Sequence, residues 1–449
     1  MKKRAAFHNL GCKVNAYETE AMIQQLKGEG YEIVPFEEKA DVYIINTCTV
    51  TNIADRKSRQ MINRARKQNP QAVVVAAGCY VQARGGELLE DGTVDLIVGN
   101  NQKGRLAGLL ERCLREKTDH PGRRDLPEET NLPEDLRGET AYEELGIAGT
   151  AGHTRVFLKV QDGCNQFCSY CIIPYVRGRI RSRGLEETQQ EVRRLAEEGY
   201  REIVLTGIHL SSYGLDLGMG EKTQETPFGE GLVRLVGALA EIPGIERIRL
   251  GSLEPRIVTE SFVDALVSCT KLCPHFHLSL QSGCDSVLKR MNRRYTTQEY
   301  RNKCRLLREG FEQPAITTDV ITGFPGETEE EFAATKAFVE EMGFYEMHVF
   351  PYSRRRGTVA DGMAGQVPES VKKERSHELL ALAQEMSERF RQSYVGREAD
   401  AVMEEPEGEG YMAGYTREYI RVRRAGGREL AGLRVHGKIT CRNGIYVLE

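Results

Sequence analysis

Cys164, Cys168 and Cys171 stand in the run Cys164-Asn165-Gln166-Phe167-Cys168-Ser169-Tyr170-Cys171, whose C-x3-C-x2-C spacing crowds three thiols into eight residues. Three thiolates this close can bind three irons of a cubane 4Fe-4S cluster and leave the fourth iron open. A structural zinc ion would want a fourth ligand, and none stands nearby in the sequence. A second trio is dispersed: Cys12, Cys48 and Cys79 each follow a short apolar run that reads as a strand. Parallel strands share one carboxyl edge, where open α/β sheets hold ligands, so the three thiols are expected to meet there. The residues alone leave two readings of this trio, a second metal-binding set or three buried apolar thiols. Cys113, Cys269, Cys273, Cys284, Cys304 and Cys441 read as buried or incidental, and His209, His275 and His277 as packing or lining residues.

The chain has 449 residues, about three times the roughly 150 of a typical domain. With 62 Lys and Arg against 66 Asp and Glu, its net charge of −4 excludes a uniformly basic nucleic-acid binder and confines any such site to a local patch. No apolar run approaches the roughly 18 residues that a membrane helix needs, so no membrane partner is expected. The basic start Met1-Lys2-Lys3-Arg4 leads into too short an apolar stretch for an export signal. Twelve cysteines without such a signal indicate a reducing, cytoplasmic setting.

Three regions must position these groups. Over 1–116, apolar runs at Arg4 to Leu10, Val42 to Thr47, Val73 to Ala77 and Val94 to Val98 alternate with helical patterns, which predicts a mostly parallel sheet wrapped by helices. Residues 117–153, with Pro121, Pro127, Pro133, Gly146, Gly149 and Gly152 before His153, read as a mobile, surface-exposed linker. Over 154–385 the alternation resumes with six strand-like runs, at 155–160, 202–206, 246–250, 276–280, 315–321 and 346–351, which predicts a partial (β/α)6 barrel. Leu232, Leu235, Val236 and Leu239 share one helix face, and Thr296 with Glu299 and Thr328 with Glu331 read as capping boxes. Over 386–449, short alternating runs predict a small five-stranded β-barrel. Residues 411–449 carry eight basic against three acidic side chains, with Tyr411, Tyr415, Tyr419 and Tyr446 interleaved, which suits an RNA platform.

The C-x3-C-x2-C run with Tyr170 just before its third cysteine resembles the radical S-adenosylmethionine superfamily. Together with Leu10-Gly11-Cys12-Lys13-Val14-Asn15, Asn46-Thr47-Cys48, Gly78-Cys79 and Cys171-Ile172-Ile173-Pro174-Tyr175-Val176-Arg177-Gly178-Arg179, it resembles the methylthiotransferase family along essentially the whole chain. The three-part layout resembles that family too: an N-terminal methylthiotransferase domain, a radical barrel and a C-terminal TRAM domain. Gly-Cys-Lys-Val-Asn, Cys-Asn-Gln-Phe-Cys and Leu205-Thr206-Gly207-Ile208-His209 are most similar to members that act on threonylcarbamoyladenosine in tRNA, although Ala16 stands where those members more often have Gln.

This resemblance implies that Cys164, Cys168 and Cys171 hold the cluster that cleaves S-adenosylmethionine, with Tyr170 near the adenine. It implies that Cys12, Cys48 and Cys79 hold an auxiliary 4Fe-4S cluster carrying the sulfur that becomes methylated. Gly207, Ser252, Glu254, Ser279, Gln281 and Gly323 are carried over as cofactor-holding positions. The implied reaction replaces hydrogen on carbon 2 of the modified adenosine at tRNA position 37 by a methylthio group. It calls for the anticodon stem-loop, an electron donor such as flavodoxin or ferredoxin, and a sulfur donor. Arg177 and Arg179, alternating with Arg181 and Arg183, are expected to face tRNA phosphates, as is the run Arg354-Arg355-Arg356. The alternatives are the same chemistry on isopentenyladenosine or a ribosomal protein, and a noncatalytic zinc-containing RNA-binding protein.

Overall fold

Val42–Thr47 and Val73–Gly78 are buried along their whole length, as strands covered on both faces must be. In the computed structural model, which describes residues 2–90, 92–119, 133–147, 149, 154–217 and 228–449, they are β3 and β4 of a five-stranded parallel sheet. The other strands are β1 (Arg4–Asn9), β2 (Glu32–Val34) and β5 (Leu96–Val98), in the order β2-β1-β3-β4-β5. Alternate residues feed two apolar layers, one with Tyr43, Ile45 and Val74, the other with Val42, Ile44 and Val75. Helices Lys13–Gly28, Asn52–Gln68, Cys79–Glu90 and Leu106–Asp119 connect the strands. The strand order reverses between β1 and β3, the crevice where sheets of this topology bind ligands.

The chain forms two compact units. The first comprises Met1–Ala148, Gln161–Arg183 and Ser353–Asp361, and the second Gly149–Val160, Gly184–Tyr352 and Gly362–Glu449. The run with Cys164, Cys168 and Cys171, expected within the region 154–385, is grouped by its contacts with the first unit. The expected linker also differs. Its described part, 133–147, buries Leu136, Leu145 and Ile147, and the Tyr17 hydroxyl donates to the Leu145 carbonyl. Apolar side chains in a polar run are what hold it down. Pro121, Pro127, Gly152 and His153 lie outside the described residues.

In the second unit, β6 (Arg155–Asp162), β8 (Glu202–Gly207), β9 (Arg247–Leu250), β10 (His275–His277), β11 (Ala315–Thr322) and β12 (Glu346–Pro351) succeed one another as in a partial barrel. Single bridges, Ile248 to Leu272 and Leu253 to Leu278, join the two sheets, and Gln281 to Val320 extends the pairing beside β10 and β11. The last two residues of β6, Gln161 and Asp162, belong to the first unit and pair antiparallel with β7 (Arg181–Ser182). Both capping boxes form, and Leu232, Leu235, Val236 and Leu239 are buried on helix Glu230–Ala240.

The last five strands are β13 (Glu398–Pro406), β14 (Tyr411–Thr416), β15 (Arg421–Ala425), β16 (Arg434–Arg442) and β17 (Ile445–Leu448), closed into a barrel in the order β13-β14-β15-β17-β16. Met403, Met412, Ile420, Val422 and Ile439 fill it. The aromatic platform expected there does not form. Tyr446 is buried, and Tyr419 lies between the guanidiniums of Arg155 and Arg249, about 4.8 and 4.9 Å from its ring, and stacks on His275. Of the four tyrosines Tyr411 is exposed, while Tyr415 and Tyr419 are half-buried.

Buried charges tie the barrel to β8 and β9. Glu202 accepts from Arg249 Nε at 2.6 Å and Arg247 at 3.3 Å, while these two arginines donate to the carbonyls of Thr416, Arg417, Tyr415 and Asp400. Burial works against the Glu202 charge, but Arg249 and Arg247 outweigh it and hold the carboxyl below its usual range. Glu202→Gln leaves two buried guanidiniums short of a counter-charge and is expected to cost about 3–5 kcal/mol. A urea midpoint equal to that of the unmutated chain would contradict this.

Candidate active site

Each cysteine of the dispersed trio leaves a strand end at the β1/β3/β4 edge. Cys12 precedes helix Lys13–Gly28, Cys48 follows β3, and Cys79 opens helix Cys79–Glu90. Gly11 has φ +109°, and a β-carbon there would lie 3.1 Å from the Cys48 sulfur, so the turn before Cys12 needs glycine to bring its neighbour so close. Asn15 fixes the same corner: its amide donates to the Leu10 and Thr47 carbonyls at 2.7 and 3.0 Å, and its oxygen lies 3.8 Å from the Cys12 sulfur. Burial, with the Cys79 and Cys12 sulfurs nearby, pushes the Cys48 thiol up to about 12. Burial raises the Cys12 thiol as well, so metal binding at Cys12 and Cys48 would release protons. Three thiols are one short of the four ligands that a structural zinc ion takes. A cubane spreads its three ligands over three irons, so this donor set fits a cluster better than a single zinc ion.

Arg177 is the correction to the expected row of phosphate contacts. It is fully buried, with Nε 3.2 Å from the Cys79 sulfur, and it donates to Glu18 at 2.9 Å, Asp162 at 3.1 Å and Asn15 at 2.7 Å. Lys103, equally buried, pairs with Glu18 and donates to Asn100 at 2.8 Å. The Asn100 amide in turn faces the Cys79 sulfur at 3.6 Å. Burial works against the Arg177 charge, but Asp162, the Cys79 sulfur and Glu18 overcome it and hold the guanidinium firmly protonated. Arg181 and Arg183 are buried as well, the first donating to the carbonyls of Arg177 and Arg179 and the second to Glu144 at 2.8 Å. The row fails because 173–177 is a short helix rather than extended chain. Only Arg179 of the four is exposed, its guanidinium 4.8 Å from the Phe167 ring. Arg355 is likewise buried, against Asp55 at 2.7 Å, whereas Arg354 and Arg356 are exposed.

Gly163 has φ +70°, and a β-carbon there would fall 1.7 Å from the Arg179 carbonyl oxygen, so only glycine lets the loop close ahead of its first cysteine. The Cys164 amide then donates to Gly178 at 3.0 Å, and the Cys171 amide to Cys168 at 2.9 Å. Cys164 is buried, while Cys168, Tyr170 and Cys171 are partly exposed. Both trios thus lie in one unit, and Arg177, six residues beyond Cys171, reaches the sulfur of Cys79. Glu18, Asn15, Asn100, Lys103 and Asp162 were not singled out from sequence. A signal was present in Asn15 and Glu18, polar residues three apart on a helix that begins at a cysteine.

In the second unit the six positions expected to hold the cofactor lie at or just beyond the carboxyl ends of β8 to β11. Gly207 ends β8. Ser252 is exposed, and Glu254 is buried and bound by Arg256 Nε at 2.8 Å. Ser279 and Gln281 follow β10, with Gln281 at φ +71°. Gly323, at φ +68°, lies so close to Lys372 that a β-carbon would clash, and its amide donates to Glu327 at 2.7 Å, which is the turn into helix Glu329–Met342.

Arg177→Gln strands Glu18 and Asp162 in the interior and is expected to destabilise the metal-free chain by about 3–5 kcal/mol. The exposed Arg179→Gln should change stability by no more than about 0.5 kcal/mol. Denaturant unfolding compares the two, and equal effects would refute the role assigned to Arg177.

Residues 4–99 match a family described as Uncharacterized protein family UPF0004, and residues 158–339 match the Radical SAM superfamily. The chain is similar to the threonylcarbamoyladenosine tRNA methylthiotransferase MtaB of Bacillus subtilis (strain 168), at 41% identity over 97% of this chain and 93% of the relative. It is similar to the protein of the same name from Aquifex aeolicus (strain VF5), at 40% over 96% and 98%. It also resembles the tRNA-2-methylthio-N(6)-dimethylallyladenosine synthase of Acetivibrio thermocellus, at 35% over 90% and 81%. Among solved structures, the radical S-adenosylmethionine methyltransferase TsrM from Kitasatospora setae shares the fold, with a TM-score of 0.55 at 17% identity over 80% of this chain and 77% of that one. The chain belongs to the family of radical S-adenosylmethionine tRNA methylthiotransferases, enzymes that use S-adenosylmethionine and two 4Fe-4S clusters.

Proposed function

We propose that this enzyme places a methylthio group on carbon 2 of N6-threonylcarbamoyladenosine at position 37 of tRNA. The observation that carries the reading is the gathering of both cysteine trios in one compact unit, where Arg177, six residues after Cys171, donates to the Cys79 sulfur. Carbon 2 of adenine carries no leaving group and no acidic proton, so polar substitution is closed and a radical route avoids both obstacles. When bound, the clusters and S-adenosylmethionine supply one-electron cleavage to a 5′-deoxyadenosyl radical and a sulfur that accepts a methyl group.

The chain's own residues do the holding. Cys164, Cys168 and Cys171 would ligate the cleaving cluster, with Tyr170 beside the adenine, and Cys12, Cys48 and Cys79 the auxiliary one. Arg177 and Asn100 point N–H groups at the Cys79 sulfur, which fixes its orientation. Gly207, Ser252, Glu254, Ser279, Gln281 and Gly323 would hold S-adenosylmethionine from the strand ends of the second unit. A cavity of about 480 Å³ in the first unit is lined by Thr49 next to Cys48, by Ile172 next to Cys171, and by Arg84 and Arg356.

Arg179 and the exposed Arg428 and Lys438 of the C-terminal barrel, read as a TRAM domain, would contact phosphates of the stem-loop. No helix among the described residues is long and apolar enough to cross a membrane, and the reading places the enzyme in the cytoplasm with flavodoxin or ferredoxin as electron donor and a separate sulfur donor.

Cys164→Ala is expected to abolish 5′-deoxyadenosine formation, whereas Cys48→Ala keeps part of it while methylthio product disappears. Full product from either variant would contradict the division of labour. For the substrate, mass analysis of tRNA nucleosides from a deletion strain decides. Loss of the 2-methylthio-N6-threonylcarbamoyl nucleoside is expected. Loss of the isopentenyl counterpart instead, or an unmethylthiolated ribosomal protein, would replace this substrate by another.

A further inference from the structure

In a closed β/α barrel the inward side chains are bulky, branched and apolar. Three strands of the second unit depart from that rule. Phe276, Leu278, Ile316, Thr318 and Val320 face the helices, where the Tyr300 hydroxyl donates to the Leu278 carbonyl at 2.9 Å. Alternation turns the intervening residues inward. On β10 these include His277, on β11 Thr317 and Asp319, and on β12 Glu346 and His348. Parallel register sets His277 level with Thr317 and Asp319 level with His348.

The side chains meet. His277 Nε2 lies 3.2 Å from Asp319 Oδ2, His277 Nδ1 lies 2.9 Å from Thr317 Oγ1, and the polar atoms of His277, Asp319 and His348 all fall within 4.8 Å of one another. The imidazole of His277, held at both nitrogens, orients Asp319 without exhausting its lone pairs. His348 is exposed, and Phe350, next on its strand face, is 44% exposed, so the cluster borders open space rather than packed core. Ser279 stands two residues beyond His277 on the same face, about 7 Å along the strand.

We infer that His277, Asp319 and His348 form the pocket that recognises the polar threonylcarbamoyl substituent on N6 of the target adenosine. The inference rests on the proposed substrate and on Ser279 belonging to the S-adenosylmethionine site. The target base must lie beside that cofactor, and its N6 substituent then extends along the inward face. A threonylcarbamoyl group offers amide N–H groups, a hydroxyl and a carboxylate. Asp319 accepts from an N–H or the hydroxyl, and His348 donates to the carboxylate. A dimethylallyl group offers none of these and would displace water from Asp319 and His348 without replacing its hydrogen bonds, so a site built to bond a polar substituent disfavours it.

The test uses the full chain with both clusters reconstituted, S-adenosylmethionine, and anticodon stem-loops whose adenosine 37 is unmodified, threonylcarbamoylated or dimethylallylated, followed by anaerobic fluorescence anisotropy. The unmutated chain is expected to bind the threonylcarbamoyl stem-loop about tenfold or more tightly than either other. Asp319→Asn and His348→Ala should each reduce that ratio below about threefold, with cluster absorbance and affinity for the unmodified stem-loop retained. A ratio that survives both substitutions overturns this inference alone. Absence of any preference in the unmutated chain overturns the substrate reading and this inference with it. Loss of the preference on adding EDTA to the unmutated chain would assign the three side chains to a divalent cation and overturn direct recognition.

Discussion

A guanidinium cut off from water must find its counter-charge inside the protein, and Arg177 finds it on both sides of the candidate cluster site. Glu18 comes from the helix after Cys12, Asp162 from the strand before Cys164, and the Cys79 sulfur from the edge of β4. Breaking such a set is costly because Glu18 keeps only Lys103 and Asp162 only the more distant Arg181 as buried counter-charges. The register between Cys12, Cys79 and the Cys164 loop is thus fixed by electrostatics before any metal arrives. Lys103 and Asn100 extend the same network, so Glu18 is shared by two cations while Cys79 faces two N–H donors. Hydrogen bonds to ligand sulfur are among the levers by which proteins set cluster potentials.

Around that core the two units divide the chemistry. The first carries all six candidate ligand cysteines. The second carries the strand-end residues suited to S-adenosylmethionine and, on the inward face of β10 to β12, polar groups suited to the substrate's substituent. The C-terminal barrel is held to the strands by Glu202, Arg247 and Arg249, an arrangement that consumes Tyr419 and Arg417 as structural contacts. Several of its other basic residues are also neutralised: Arg421 and Arg423 pair with Glu405 and Glu407, and Arg434 with Glu246. A count of charge along the sequence therefore overstates what this barrel presents to RNA.

That Cys12, Cys48 and Cys79 leave neighbouring strand ends was legible because each stands where an apolar run stops, and parallel strands deliver such positions to one edge. The six barrel strands and both capping boxes were legible for the same kind of reason, as local patterns with a local cause. Helix Cys79–Glu90 was not, since Gly85 and Gly86 interrupt its pattern and Arg84 bends it. Arg177, Arg181 and Arg183 were misread because alternation says which way a strand's side chains point but not whether carboxylates wait there. Leu136 and Leu145 were passed over inside a polar, proline-rich run. His277, Asp319 and His348 come from three separate strands, and only the register of the folded sheet makes them neighbours.

The central claim, two cubanes on two cysteine trios, is tested most directly by counting iron after anaerobic reconstitution, with Mössbauer spectra to identify the cluster type. The full chain should bind about eight irons, all in 4Fe-4S form, and a chain with Cys12, Cys48 and Cys79 all replaced by Ala about four. Equal iron in the two proteins, or a colourless chain loaded with zinc, would contradict the account.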